Sequence, residues 1–320
     1  MLVHGRDPGG ADAERIESSW LDSLNAGLAA AGRPLRVADD DASFVFYGAT
    51  LDALVGGTPP PPITVHAVDD GMGAVEGVVE GAVDTGALAE LPPDLVAFAL
   101  AVSRELLAGA GVDAPEAVAN DVVGDALVEA LAAALAAIDR FVPGLSSAVV
   151  LLAVRDVHAY LHDAAVRDVL DAGLLAALPT DEPAVVVAHS LGTVVAYRVL
   201  RGLGDDAGGA RDVPLFLGVG SPLAIRAIRD VLAAEAPLRV PAPVGRWVDA
   251  RDPRDLLALH GLNPQAFPLE PGSRPVELLE VDNRAPGRHA AAGVLESGEP
   301  VGYLADPGVA GLVGDAVTAP

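Results

Sequence analysis

The spacing of apolar positions changes several times along this chain, and each change predicts an element. Between 14 and 31 they recur at helical intervals, with Trp20, Leu21, Leu24 and Leu28 on one face. That predicts a helix with Asp12 as N-cap, ended by Gly32 and Pro34. Leu2-Val3 and 44–47 are short β-branched and aromatic runs, read as strands, and Gly56-Gly57 with the run of prolines at 59–62 reads as a loop and stiff spacer. From 70 to 147 the texture differs. Helical stretches at 95–108 and 122–141 are apolar around much of their circumference, with Glu105, Asp121 and Glu129 as scattered exceptions. One longer helix is predicted over 154–178. Beyond it, strands at 184–188, 214–219, 245–249 and 276–281 alternate with helices at 193–203, 223–234 and 305–317. Such alternation predicts an α/β protein with a mostly parallel, doubly wound sheet and right-handed crossovers. Residues 1–69 and 148–320 form the expected core, and 70–147 a helical insertion above the sheet.

Composition restricts partners more than fold. The chain of 320 residues is long enough to bury a sizeable core, and it has no cysteine, so disulfides and thiolate metal sites are excluded. Every basic residue is arginine, and the formal charge of −25 argues against nucleic acid or an anionic membrane surface as partner. No signal-type stretch opens the sequence. The longest uncharged apolar run, 141–154, is interrupted by Pro143 and Gly144 and falls short of the roughly 20 residues that span a bilayer. A cytoplasmic protein without an integral membrane segment is the expectation. His158 and His162 stand one helical turn apart with Asp163 adjacent, a spacing that suits a metal ion. No third ligand is evident, so an exposed helix face is expected, with no metal and no other cofactor.

The stretch with most chemical content is Ala184-Val185-Val186-Val187-Ala188-His189-Ser190-Leu191-Gly192. A strand ends in a small residue, a serine follows two positions later, a glycine two beyond that, and a helical pattern begins. This is similar to the nucleophile elbow of the α/β-hydrolases, in which a sharp turn exposes the serine and leaves little room for flanking side chains. Three further segments join the resemblance. Val3-His4-Gly5-Arg6 resembles the His-Gly oxyanion loop of lipases and esterases. Asp252-Pro253-Arg254-Asp255-Leu256 resembles the acid-bearing turn of such hydrolases, with Leu256 where proline is usual. His289 lies in a Gly/Pro-containing loop after the last predicted strand.

The resemblance implies a lipase/esterase-type serine hydrolase whose first strands are missing, with the insertion as a cap. Ser190 would be the nucleophile, His289 the base and Asp255 the acid, with Asp252 as alternative acid and Asp249 a more distant one. His260, only five residues beyond Asp255, would have to double back to serve as base. The backbone N–H groups of Arg6 and Leu191 would form the oxyanion hole, and His189 would point away from the nucleophile as a structural residue. The implied substrate is a small apolar ester, cleaved through an acyl-enzyme. A thioesterase or acyltransferase with the same residues is an alternative, and a non-catalytic binding module on the same fold another. An apolar insertion over the site predicts that positions such as Leu131 line the substrate pocket.

Overall fold

The structure, a computed structural model, describes residues 1–5, 13–56, 64–66, 85–113, 115, 118, 125–142, 145–204 and 211–319. Arg6, Asp12, Asp121 and the prolines at 59–62 lie outside the described residues. Six strands run parallel: β1 (Leu2–Val3), β2 (Phe44–Phe46), β4 (Val186–His189), β5 (Val213–Val219), β6 (Val244–Arg251) and β7 (Glu277–Glu280). The remaining strand, β3 (Thr64–His66), is antiparallel to β2 at one edge, and the order across the sheet is β3-β2-β1-β4-β5-β6-β7. A short hairpin, β8 (Gly293–Val294) with β9 (Pro300–Val301), stands apart.

Side chains of a strand alternate between faces, and this sheet has a core on each. Val187, Leu215, Leu217 and Val219 face the layer of α1 (Ala13–Ala30) and α10 (Pro307–Thr318), where Trp20, Leu24 and Leu28 meet Val309 and Val313. Val3, Val45, Val186, Ala188 and Phe216 face the opposite core. That core is built with α4 (Pro93–Gly109), α5 (Asp125–Phe141), α6 (Ser147–His162), α7 (Ala164–Ala177), α8 (Leu191–Gly202) and α9 (Arg226–Glu235). Burial on both faces explains why the inner strands β4 and β5 read as apolar runs without a polar stripe, whereas β7 at the edge is largely exposed and carries Glu277 and Glu280.

Three expectations are corrected. The region after Phe46 continues as a helix, α2 (Gly48–Val55), and β3 pairs beyond it where no strand was expected. A three-residue edge strand carries too few positions to show a period. The single helix expected over 154–178 is two, broken at Asp163. Its carboxylate accepts hydrogen bonds from the Ala165 and Val166 N–H groups at 2.8 and 3.4 Å, capping α7 in place of continuing α6. Leu131 is fully buried among the packed helices and does not line the cavity beside Ser190. Among the described residues, no helix is long and apolar enough to cross a membrane.

Candidate active site

Parallel strands end on one edge of the sheet, so the segments that follow β1, β4, β6 and β7 meet there. Ser190 stands between β4 and α8 with φ 52° and ψ −126°, a left-handed backbone that a non-glycine residue adopts only when its surroundings enforce it. The surroundings are close. Ser190 N–H donates to the Val219 carbonyl at 3.2 Å, and the Thr193 hydroxyl donates to the Ser190 carbonyl at 2.7 Å. A Cβ at position 192 would sit 2.6 Å from the His4 carbonyl oxygen, and one at position 5 would sit 2.8 Å from Ser190 Cβ. Glycine at both positions lets the loop after β1 lie directly against the serine.

His289 comes from the loop after β7. Its Nε2 lies 3.1 Å from Ser190 Oγ, and its Nδ1 lies 2.8 Å from Asp255 Oδ2. A carboxylate only accepts, so Nδ1 carries the hydrogen and Nε2 turns its lone pair to the Ser190 hydroxyl. Asp255 is buried in the loop after β6, where its other oxygen accepts from the N–H groups of Leu257 and Ala258 at 3.0 and 3.3 Å. Leu191 is the first residue of α8, where backbone N–H groups have no intrahelical acceptor and the helix dipole favours negative charge.

The rival candidates are engaged elsewhere. Asp252 is fully buried and accepts from Arg254 Nε at 2.9 Å and from the Asn283 N–H at 2.8 Å. Burial acts to raise its pKa, but the bonds from Arg254 and Asn283 outweigh that and hold it below the ordinary carboxylate value. Asn283 in turn donates through Nδ2 to the Ala290 carbonyl at 2.9 Å, so Asp252 and Asn283 join the loop after β6 to the loop that carries His289. Asp249 faces the Leu262 N–H at 3.0 Å, and burial pushes its pKa up to about 7. His260 is bound to Glu105 of α4 at 2.9 Å.

His189 is buried behind the elbow, and its Nε2 lies 2.7 Å from the His289 carbonyl oxygen. The ring donates there. Burial, with the adjacent His289 ring, drives its pKa well below the usual histidine value, and the neutral form is kept. It thus holds the main chain of His289. Tyr303 supplies a contact that no sequence pattern announces: its hydroxyl donates to Asp255 Oδ2 at 2.6 Å.

A cavity of about 40 Å³ opens beside Ser190, with Phe98 and Val102 of α4, Val154 and Val157 of α6, and Ile225 and Ile228 among its walls. Asp156, buried, is the charged residue in that lining. His158 is half-buried against Phe98 and 3.3 Å from Asp94, which corrects the expectation of an exposed face; His162 beside it is exposed. Among the described residues, no group of three or more His, Cys, Asp or Glu could hold a metal ion. No protein-family model, curated protein or solved structure matches the chain.

Proposed function

We propose that this protein is a serine hydrolase of the α/β-hydrolase type that cleaves a carboxylic ester with an apolar acyl group. The observation that carries the reading is the hydrogen-bonded series Ser190–His289–Asp255 on a serine of strained backbone geometry. A serine hydroxyl is a weak nucleophile at neutral pH and needs an aligned base, a carboxylate behind that base and donors for the oxyanion. The strand order supports the reading as well, with the elbow at the centre of a parallel sheet and the acid and base loops following successive strands.

In this mechanism Ser190 Oγ attacks the ester carbonyl while its proton passes to His289 Nε2. Asp255 accepts the Nδ1 hydrogen bond and stabilises the imidazolium. The oxyanion develops toward the Leu191 N–H at the start of α8, with the Arg6 N–H as the second donor that the family resemblance implies. The C–O bond to the alcohol breaks as His289 returns the proton to it. Water, deprotonated by the same ring, then releases the acid from Ser190. The side chains of α4 at the cavity support the cap reading of the insertion: Phe98 and Val102 would bound the acyl group and exclude water from the acyl-enzyme.

The experiment is labelling with a fluorophosphonate, followed by p-nitrophenyl ester hydrolysis. The adduct should lie on Ser190, and Ser190→Ala should lose activity on the order of 10⁴–10⁶-fold in kcat while staying folded. An adduct elsewhere, or no adduct with a folded protein, overturns the reading. A parallel panel of thioesters reports which leaving group is preferred.

A further inference from the structure

Asp255 receives two of its hydrogen bonds from its own turn, at Leu257 and Ala258, and a third contact is with His289. The fourth comes from 48 residues away. Tyr303 lies in the turn between β9 and α10, fully buried, and its hydroxyl has only one available orientation. The Asp252 N–H donates to that oxygen at 3.1 Å, so the hydroxyl hydrogen is left for the Asp255 carboxylate, which accepts only. Burial, then the neighbouring Asp255 charge, raises the phenol above its ordinary pKa and keeps that hydrogen in place. The main chain of the same turn is tied to the base. Tyr303 N–H donates to the Ala290 carbonyl at 3.1 Å, and Leu304 N–H to the Ala291 carbonyl at 2.9 Å, the two residues that follow His289.

We infer that Tyr303 is a positioning residue of the site, acting through Asp255; the inference rests on the serine-hydrolase reading. One turn spans acid and base: its hydroxyl fixes the plane of the carboxylate, and its backbone fixes the loop on which His289 stands. The hydroxyl also takes a share of the carboxylate's charge. Without it, Oδ2 keeps only its contact with His289, and more of the carboxylate's charge acts on the imidazole, favouring the protonated ring. Among the described residues, the titratable and charged groups near this pair include His189 at the end of β4 and Asp252, which pairs with Arg254 and Arg288, both shared with Asp282.

The test is Tyr303→Phe, assayed with p-nitrophenyl acetate from pH 5 to 9 at a temperature well below its unfolding midpoint. The expected result is a fall in kcat of about 10-fold, with KM within about twofold, and an acid limb of the kcat/KM profile moved to higher pH. A variant that loses thermal stability but keeps kcat and the limb shows a structural role only and overturns the inference. Should the variant not fold, 3-fluorotyrosine at position 303 keeps the hydroxyl and strengthens the donor. The acid limb should then move to lower pH, and an unmoved limb overturns the inference. Fluorophosphonate labelling separates the two claims. A wild-type protein that takes no label at Ser190 overturns both, whereas wild type and Tyr303→Phe labelling at the same rate overturns this one alone.

Discussion

Asp252 and Asp255 occupy one turn, are equally buried, and make different bonds. Asp255 points at His289 and is fed by neutral donors; Asp252 points away and is held by Arg254 and the Asn283 N–H. An Asp255→Asn change keeps the shape but can no longer hold the ring in the tautomer that offers Nε2 to Ser190. Hydrolysis of p-nitrophenyl acetate should fall on the order of 10³–10⁴-fold in kcat, with little change in the unfolding midpoint. Asp252→Asn should behave in the reverse way. Loss of the bonds from Arg254 and the Asn283 N–H to a buried carboxylate should lower the denaturant unfolding midpoint, with kcat lowered less than about 10-fold. If Asp252→Asn has the larger effect on kcat, the acid is wrongly assigned. At this scale the strand-to-helix turn at Ser190 was legible in the sequence, because a strand, a small residue and a glycine at fixed spacing leave few other local structures. The choice between the two aspartates was not legible from the residues alone, since both stand in the same turn and only the resemblance separated them. Tyr303 and Asn283 had no local signal at all: each acts on a partner 48 or 31 residues away.

On the proposed function, α4 is the element that would bound the acyl group. It is held to the core at its C-terminal end by Glu105, which takes the Arg226 N–H at 3.0 Å and pairs with His260, and at its N-terminal end by Asp94 beside His158. Between these ties it presents Phe98 and Val102 to the cavity beside Ser190. A cavity of about 40 Å³ is room for a few water-sized groups, so acetyl to butyryl esters should be the best substrates. Val102→Ala should raise kcat/KM for the hexanoyl over the acetyl ester by about 10-fold, and Val102→Trp should lower it comparably, because a methylene in an apolar pocket is worth about 1–3 kcal/mol. Leu131→Trp, at a fully packed position, should cost about 1–3 kcal/mol in stability and leave the chain-length profile alone. A profile that stays the same across both Val102 variants and Phe98→Ala would show that α4 does not bound the acyl group. The long helices could be read from the sequence because their apolar periods are sustained. The break at Asp163 was hidden by apolar residues that continue on either side of it, and β3 by its length.

Two buried carboxyl groups outside the site tie the stability of the fold to pH. Glu17 in α1 has neither carboxylate oxygen paired among the described residues, and burial, then repulsion from Asp39 and Glu14, pushes its pKa from 4.5 up to about 8. Asp249 is pushed by burial from 3.8 to about 7. Each holds a proton in the native state that the unfolded chain releases near pH 4, so their contribution is complete below that pH. It is lost progressively as pH rises toward 7 and 8. Self-repulsion among charges that sum to −25 acts in the same direction, since acid protonates carboxylates. His189 opposes them: its lowered pKa means that the unfolded state takes up a proton first as pH falls below about 6.5, and stability is lost in that direction. The unfolding midpoint should therefore peak on the acid side of neutrality, while ester hydrolysis, which in the proposed mechanism would need an unprotonated His289, should still rise with pH. Thermal unfolding of the wild type, Glu17→Gln and Asp249→Asn between pH 4.5 and 8.5 separates local from global causes. The amide imposes the same cost at every pH, so the slope is the informative quantity. It should be flatter from pH 4.5 to about 7 for Asp249→Asn and from pH 4.5 to about 8 for Glu17→Gln. Curves parallel to wild type in both variants would assign the pH dependence to net charge alone.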